Sequence, residues 1–535
     1  MPIFESRISP TSESFRANRA AMLDLVAGFR ALEERVRATS AARSAQFEKR
    51  GQILPRQRLA LLLDRGAPFV ELSTLAGLHM HDDDGADNIM GGGVITGIGI
   101  VSGIRCVVIV SDSAIKGGTI APMGLRKSLR AQEIALENRL PLVNLVESGG
   151  ANLLYQAEIF VDGGRIFANL ARLSAAGLPI VTVVHGSSTA GGAYQPGLSD
   201  YVIMVRGKAK VFLAGPPLLK AATGEVATDE ELGGAEMHAT IAGTAEYLAE
   251  DDADGIRLAR EVMAKLKWPR VAAMGGRPPR LDPDELAGLV PVDYRKPHDV
   301  REVIARIVDD SDFLDFKPLY GSATVCVHAM LGGQEVGLIG NNGPIDADGA
   351  VKAAHFIQLC GQSGTPIIYL QNTTGYMVGR EAEQAGIVKH GSKMIQAVAN
   401  ATVPQITLHV GASFGAGNYG MCGRAFGPRF IFAWPNNRIA VMGGEQAAGV
   451  MAIVTEEKFR RAGQEVEAAA LEKMKAGIVK RMDAESTALF ATARLWDDGL
   501  VDPRDTRRLL LFCLATAQEG DARQPRRTSH GVARM

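Results

Sequence analysis

The second half of the chain repeats the first in register, and no other feature constrains the fold as much. Leu140-Pro-Leu-Val-Asn-Leu-Val-Glu-Ser-Gly-Gly-Ala151 aligns with Thr365-Pro-Ile-Ile-Tyr-Leu-Gln-Asn-Thr-Thr-Gly-Tyr376 at an offset of 225 residues. The same offset matches Pro179 with Pro404, Thr182 with Thr407, Gly186 with Gly411, Gly192 with Gly417 and Tyr194 with Tyr419. Gly124 and Lys127 meet Gly349 and Lys352 in that register. Farther back, Phe69-Val-Glu71 echoes Phe313-Leu-Asp315 at an offset of 244, so the first half carries 19 extra residues. They are expected around His81-Asp-Asp-Asp84 and Gly91-Gly-Gly93. A unit of this length is no solenoid repeat. It predicts two homologous domains, each with its own sheet.

The local pattern agrees. Phe15, Met22, Leu25, Val26, Phe29 and Leu32 recur at helical spacing within 13–64, and Leu54-Pro55 interrupts that pattern. From Gly91 to Asp112 glycine-bounded β-branched runs predict a hairpin. Helices then alternate with short apolar strands such as Pro141–Val146 and Pro179–Val184, which indicates βαβ crossovers and a buried sheet. The expected domains are an N-terminal helical segment 1–64, a first domain 65–274, a Pro/Gly-rich linker 275–290, a second domain 291–518 and a frayed polar tail 519–535.

Charge and cysteine usage exclude several classes. Lys+Arg at 58 against Asp+Glu at 59 leaves no basic field for nucleic acid or an anionic membrane. Five scattered cysteines without a C-x-x-C pair argue against a zinc ribbon or a disulfide framework, and a reducing compartment fits. The start has no basic region followed by an apolar stretch, so no secretory signal is expected. No apolar run is long enough to span a bilayer. The expected location is the cytoplasm.

Each half then offers the same small-residue loops. Gly191-Gly192 follows Thr189-Ala190, and Ala416-Gly417 follows Phe414-Gly415. Small residues at a strand-to-helix junction present free backbone N–H groups to an oxyanion, or simply permit a tight turn. A second cluster, Ser148-Gly149-Gly150-Ala151 and its counterpart Thr373-Thr374-Gly375-Tyr376, follows the preceding strand and would wall the same cleft. Gly411-Ala-Ser-Phe-Gly415 also fits the G-x-S-x-G elbow of serine hydrolases, with Ser413 as nucleophile, but only His530 follows it as a base. His81-Asp-Asp-Asp84, His390, the run Arg206-Gly-Lys-Ala-Lys210 and Gly97-Ile-Gly-Ile-Val-Ser-Gly103 read more simply as solvated or structural. No acid/base pair or metal cluster stands out. Two oxyanion sites without a side-chain catalyst suit chemistry through an enolate.

These residues carry a resemblance to the carboxyltransferase β subunits of biotin-dependent acyl-CoA carboxylases. It extends from about residue 15 to Arg508 and includes Ser148–Ala151, Thr189–Tyr194, Gly215–Glu225, Leu232–His238 and Trp434–Gln446. Gly375–Glu381 with Gly415–Arg424 resembles the 3-methylcrotonyl-CoA and geranyl-CoA branch. The resemblance implies an α/β fold of two crotonase-like domains, ββα superhelices in tandem. It implies that the amides of Gly191 and Gly192 hold a thioester enolate, and that those of Ala416 and Gly417 polarise the ureido carbonyl of carboxybiotin. Ala190 and the two small-residue loops would line the substrate site. Biotin would be carried by an α subunit with biotin carboxylase activity, around a hexameric β core in an α6β6 complex, with no metal on this chain. The segment Ala157–Arg165 is shorter than its counterpart in 3-methylcrotonyl enzymes, which implies a roomier acyl pocket and geranyl-CoA as substrate, with 3-methylcrotonyl-CoA next.

Overall fold

A computed structural model describes residues 4–81, 90–271 and 274–526. The chain forms two compact units. The N-terminal unit comprises 31–273, 493–495 and 516–535, and the C-terminal unit comprises 1–30, 274–492 and 496–515.

The N-terminal sheet has eight strands: β1 (Val70–Leu72), β2 (Val94–Val101), β3 (Ile104–Ser111), β4 (Leu142–Ser148), β5 (Ile180–Thr189), β6 (Tyr201–Val205), β7 (Lys210–Phe212) and β8 (Tyr247–Ala249). Their order is β1-β2-β3-β4-β5-β6-β8, with β7 pairing the end of β5. The first two pairings are antiparallel and the rest parallel. The C-terminal sheet contains β9 (Phe313–Asp315), β10 (Thr324–Leu331), β11 (Gln334–Asn341), β12 (Ile367–Thr373), β13 (Gln405–Phe414), β14 (Phe430–Ala433) and β15 (Arg438–Ala440). It runs β14-β13-β12-β11-β10-β9, with β15 on the end of β13. The two sheets share one topology except for β8, which extends the N-terminal sheet beyond β6 and has no C-terminal counterpart among the described residues. The fold is a tandem of crotonase-like α/β domains.

The predicted hairpin β2–β3 forms, and β10–β11 makes a second one that was not expected from the sequence. Each two-residue turn places both residues at positive φ, Ser102 and Gly103 in one and Gly332 and Gly333 in the other. That geometry matches the twist of the flanking strands. Crossover helices Pro122–Glu137 and Gln156–Ala175 connect β3 to β4 and β4 to β5, and Ala347–Ser363 and Ile387–Ala399 do the same in the second sheet. β4 and β13 are buried along their whole length, so polar residues such as Asn144 and Glu147 in one and Thr407, His409 and Ser413 in the other are buried with the apolar ones. In the N-terminal core Val143, Leu145, Val181 and Val183 pack with Ile256, Ala259 and Met263. In the C-terminal core Ile339, Ile367 and Tyr369 pack with Phe356, Ile357 and Met394.

The edge-strand echo is a true structural equivalence. Glu71 pairs Gly97, and Asp315 pairs Val327, the same step of the hairpin. Most of the extra length of the first half lies between β1 and β2, where 82–89 are outside the described residues. The remainder precedes helix Pro122–Glu137, in a connection longer than the one before Ala347–Ser363. The Gly124 match has a steric basis, whereas the two lysines share burial but not bonding, since Lys352 Nζ has no hydrogen-bond partner among the described residues. A Cβ on Gly124 would stand 2.1 Å from the carbonyl oxygen of Gly92. Lys127 Nζ donates to the carbonyls of Gly91 and Val94 at 3.2 and 2.8 Å, so its buried amine anchors the start of the hairpin.

Three expectations are corrected. The N-terminal region is three helices, Glu13–Ala41, Ser44–Lys49 and Pro55–Leu62, so a second break falls near Arg43. Residues 275–290 are not a free linker: Leu286, Ala287, Leu289 and Val290 are buried, and Ser311 Oγ accepts the amides of Arg280 and Leu281. The C-terminal helix continues from Thr506 to Ala522, into the stretch expected to fray. There Glu519 pairs with Arg105 at 3.0 Å and with Arg523 at 2.8 Å.

Two glycines give opposite expectations. Gly28 lies exposed within helix Glu13–Ala41 with open space around its missing Cβ, so Gly28→Ala should stabilise by up to about 1 kcal/mol. Gly124→Ala drives a methyl into backbone and should destabilise by about 1–3 kcal/mol. Thermal unfolding of the two variants checks both signs.

Candidate functional site: paired backbone-donor turns

Each unit places one short helical turn at the end of its long central strand. Ala190–Ala193 follows β5, and Gly415–Gly420 follows β13. The first residue of each turn is left-handed, Ala190 at φ 52° and Gly415 at φ 56°. An alanine held there costs roughly 1–2 kcal/mol, a strain that the C-terminal unit avoids with glycine. Gly191 and Ala416 come next and are exposed, whereas Gly192 and Gly417 are buried. The first amides of a helical turn lack an intrahelical acceptor, and neither turn carries a side-chain cap.

The neighbouring loops close on these turns in the same way in both units. β4 and β12 shift register as they leave the sheet, so that Ser148 faces Ser188 and Thr373 faces Ser413. Ser148 Oγ accepts the Gly150 amide at 3.1 Å, and Thr373 Oγ1 accepts the Gly375 amide at 3.2 Å. Ala151 bridges Ile120, and Tyr376 bridges Ile345. A Cβ on Gly192 would lie 3.4 Å from Ser148 Oγ, and one on Gly417 would lie 2.9 Å from Gly375 Cα. The loops predicted to share a cleft therefore touch in each unit. Gly149 and Thr374 are exposed, while Gly150 and Gly375 are buried. The Tyr376 ring is turned inward, its hydroxyl donating to the Gly391 carbonyl at 3.4 Å, so only its backbone faces the loop.

Several residues of this region were not legible in the sequence. Phe167, on helix Gln156–Ala175, lies 3.6 Å from the Cβ position of Gly191 and packs on Tyr194. The segment Ala157–Arg165 is helical, and Phe160 and Val161 are exposed on it. Behind the first loop, Glu147 accepts from Arg58 at 2.9 Å and from Ser113 at 2.8 Å. Arg58 also pairs with Asp252, which accepts from His185 Nδ1 at 2.8 Å. Burial, reinforced by the Arg58 charge, lowers the pKa of His185 and keeps the ring neutral. In the C-terminal unit a cleft of about 360 Å3 lined by Tyr294, Phe414, Arg438 and Gly443 opens beside the end of β13. A larger cleft of about 950 Å3, between Leu61 and Arg260, is lined by none of the predicted site residues.

The serine hydrolase alternative fails on geometry. Ser413 is fully buried within β13, paired to Thr373 and Ile439, not raised on a strand-to-helix elbow. Its hydroxyl donates to Gln371, and His530 lies outside the described residues. His409, four residues before it, is pushed down to about 4 by burial. The other minor candidates are structural. Gly97 and Gly99 make room for Phe69 and Leu63. Arg206 pairs with Glu236 and Glu250, and Lys210 with Asp229. His390 lies in the first turn of its helix, 3.3 Å from Lys393 Nζ. His81 reaches Glu158 at 3.1 Å, while 82–84 are outside the described residues. Among the described residues no three His, Cys, Asp or Glu converge as metal ligands, and no helix is long and apolar enough to cross a membrane.

Known proteins resemble this chain along nearly its whole length. Residues 46–532 match the family model described as the carboxyl transferase domain. The chain belongs to the carboxyl transferase family. It is the carboxyltransferase subunit of an acyl-CoA carboxylase. It is similar to the crystal structure of the β subunit of P. aeruginosa geranyl-CoA carboxylase, with 60% identity, complete coverage of both chains and a TM-score of 0.94. It is 50% identical over 492 residues to a probable biotin-dependent acyl-coenzyme A carboxylase β2 subunit of Mycobacterium tuberculosis, covering 91% of each chain. It is 46% identical to a probable mitochondrial methylcrotonoyl-CoA carboxylase β chain of Drosophila melanogaster, covering 100% of this chain and 95% of that one.

The two turns differ in how much space surrounds them. Gly192→Ala places a methyl at ordinary contact distance and should leave unfolding free energy within about 0.5 kcal/mol of wild type. Gly417→Ala presses on the Gly375 backbone and should cost about 1–3 kcal/mol. Denaturant unfolding of the pair measures the difference.

Proposed function

We propose that this chain transfers a carboxyl group from carboxybiotin to the γ-carbon of a β-methyl enoyl-CoA, with geranyl-CoA preferred to 3-methylcrotonyl-CoA. The observation that carries the reading is the full-length likeness to the geranyl-CoA carboxylase β subunit, combined with the two matched donor turns. In the N-terminal unit the Gly191 and Gly192 amides receive the thioester oxygen and stabilise the negative charge that gathers there as the γ-proton leaves. Ala190 and the loop Ser148–Ala151 flank that oxygen. In the C-terminal unit the Ala416 and Gly417 amides polarise the ureido carbonyl, flanked by Thr374, Gly375 and Tyr376. The residues fit such a group: Ala416 is exposed at the turn, and Phe414 lines a cleft beside it. When bound, carboxybiotin would supply the carboxyl group and, at the ring nitrogen freed as that group departs, the base that takes the γ-proton. His185 and His409 are buried away from solvent and do not reach a substrate proton, so they are no substitutes for that base. The protein contributes fixed dipoles aimed at developing charge, the largest single effect in much enzymatic catalysis.

The partner is an α subunit that carries biotin and biotin carboxylase, and the β chains form a hexameric core within an α6β6 assembly in the cytoplasm. Size-exclusion with light scattering should show an oligomer that is itself free of biotin yet co-elutes with a biotinylated protein. A stable, active monomer contradicts this.

Substrate choice is decided by bicarbonate fixation with the reconstituted holoenzyme and the two thioesters in parallel. Each extra buried methylene contributes up to roughly 0.8 kcal/mol, and part of that is lost to ordering the isoprenoid chain. The expected kcat/KM for geranyl-CoA exceeds that for 3-methylcrotonyl-CoA by about tenfold or more, about 1.4 kcal/mol. Preference for the five-carbon acyl group contradicts the assignment. Gly192→Val should lower transfer by about 10²–10³-fold, the usual effect of losing one oxyanion donor.

A further inference from the structure

Three buried side chains tie the C-terminal donor turn to the strands beneath it. Gln371 stands on β12, Ser413 on β13 and Asn418 inside the turn Gly415–Gly420. Gln371 and Ser413 are fully buried, and Asn418 is 9% exposed. Asn418 Nδ2 donates to Ser413 Oγ at 2.7 Å, Ser413 Oγ donates to Gln371 Oε1 at 2.5 Å, and Gln371 Nε2 donates to the Met421 carbonyl at 2.6 Å. The direction of this relay is forced. An amide oxygen carries no proton, so the serine hydroxyl must donate to it and is left to accept from Asn418.

Both ends of the relay fall on the turn. Asn418 lies within it, and Met421 follows it, its amide donating to the Gly417 carbonyl at 3.1 Å. The Asn418 carbonyl receives the Gly423 amide at 2.8 Å. Sliding the turn over the sheet would break every link at once and leave buried polar groups unpaired, which is costly. The N-terminal unit is built differently at the aligned positions Val146, Ser188 and Ala193. Two of these are apolar, and Ser188 Oγ donates straight to the Gly192 carbonyl at 2.9 Å. The duplication therefore serves as an internal control: the same turn stands on a three-residue relay in one unit and on a single bond in the other.

We infer that Gln371, Ser413 and Asn418 are positioning residues that hold the Ala416 and Gly417 amides at a fixed distance from the carbonyl they polarise. The inference rests on the reading of this turn as the biotin-side donor site.

Full-length chain carrying Ser413→Ala, Asn418→Ala, both together, or Gln371→Glu tests it through two separate readouts. By hydrogen-exchange mass spectrometry, exchange across 414–423 is expected to quicken at least tenfold in each single variant and no further in the double, because linked groups act as a unit. The peptide 187–197 keeps the wild-type rate. In the holoenzyme, transfer kcat is expected to fall about tenfold, short of the 10²–10³ of losing a donor outright, while the dissociation constant for the acyl-CoA stays within twofold. Unchanged exchange at 414–423, independent and additive effects of the two substitutions, or a matching loss of acyl-CoA affinity each overturn the proposal. Quickened exchange with unaltered turnover overturns the donor-site reading, and the positioning role falls with it.

Discussion

Amides proposed to polarise a carbonyl must not move, and in this protein the loops packed against the two turns are each fixed by a short local hydrogen bond, joined in the C-terminal unit by the Gln371–Ser413–Asn418 relay. Ser148 Oγ holds the Gly150 amide and Thr373 Oγ1 holds the Gly375 amide, each on the strand that runs beside the turn. The glycines follow from that constraint. Gly417 lies against Gly375 so closely that a Cβ would collide with backbone, and Gly192 has only the room that Ser148 and Ser188 leave it. Both loops leave parallel strands that are buried along nearly their whole length, a rigid base for the proposed backbone site.

The duplication shows what the fold holds constant and what it lets diverge. Gly186 and Gly411 occupy equivalent places, and each leaves space for the side chain that precedes the first loop. A Cβ on Gly186 would reach Glu147, and one on Gly411 would reach Asn372. In the N-terminal unit that side chain is a carboxylate tied to Arg58 on helix Pro55–Leu62. In the C-terminal unit it is an amide whose oxygen accepts from the Ala412 backbone at 3.0 Å. The steric slot is common to both and the electrostatics behind it are not. A buried charge such as Glu147 persists only when its partners are supplied, and here they are Arg58 from the N-terminal helix Pro55–Leu62 and Ser113 just after β3.

Much of this was legible because the repeat is ungapped through the strands that carry the turns. Alignment alone located Gly191 and Gly192 opposite Ala416 and Gly417, and it placed Phe69–Glu71 opposite Phe313–Asp315, the equivalence that the edge-strand register shows. What stayed hidden depends on contacts between residues distant in sequence. Arg58 meets Glu147, and Gln371 meets Ser413 and Asn418, only once strand register is set. The G-x-S-x-G alternative, disfavoured by sequence because only His530 follows its serine, also fails on a contact of this kind: that serine is a strand residue whose hydroxyl is already committed. The glycine- and proline-rich stretch 275–290 looked like a linker by composition, yet its apolar residues Leu286 and Leu289 are buried.

The proposed mechanism assigns the charge stabilisation to backbone amides, not to side chains. The most direct measurement is the infrared stretching frequency of an isotopically labelled thioester carbonyl in geranyl-CoA bound to the assembled protein without bicarbonate. Two amides aimed at that oxygen lengthen the C=O bond, so the band is expected at lower frequency than in free solution, and it should return toward the solution value in Gly192→Val. A bound carbonyl that absorbs at its solution frequency in the wild-type protein would contradict the claim.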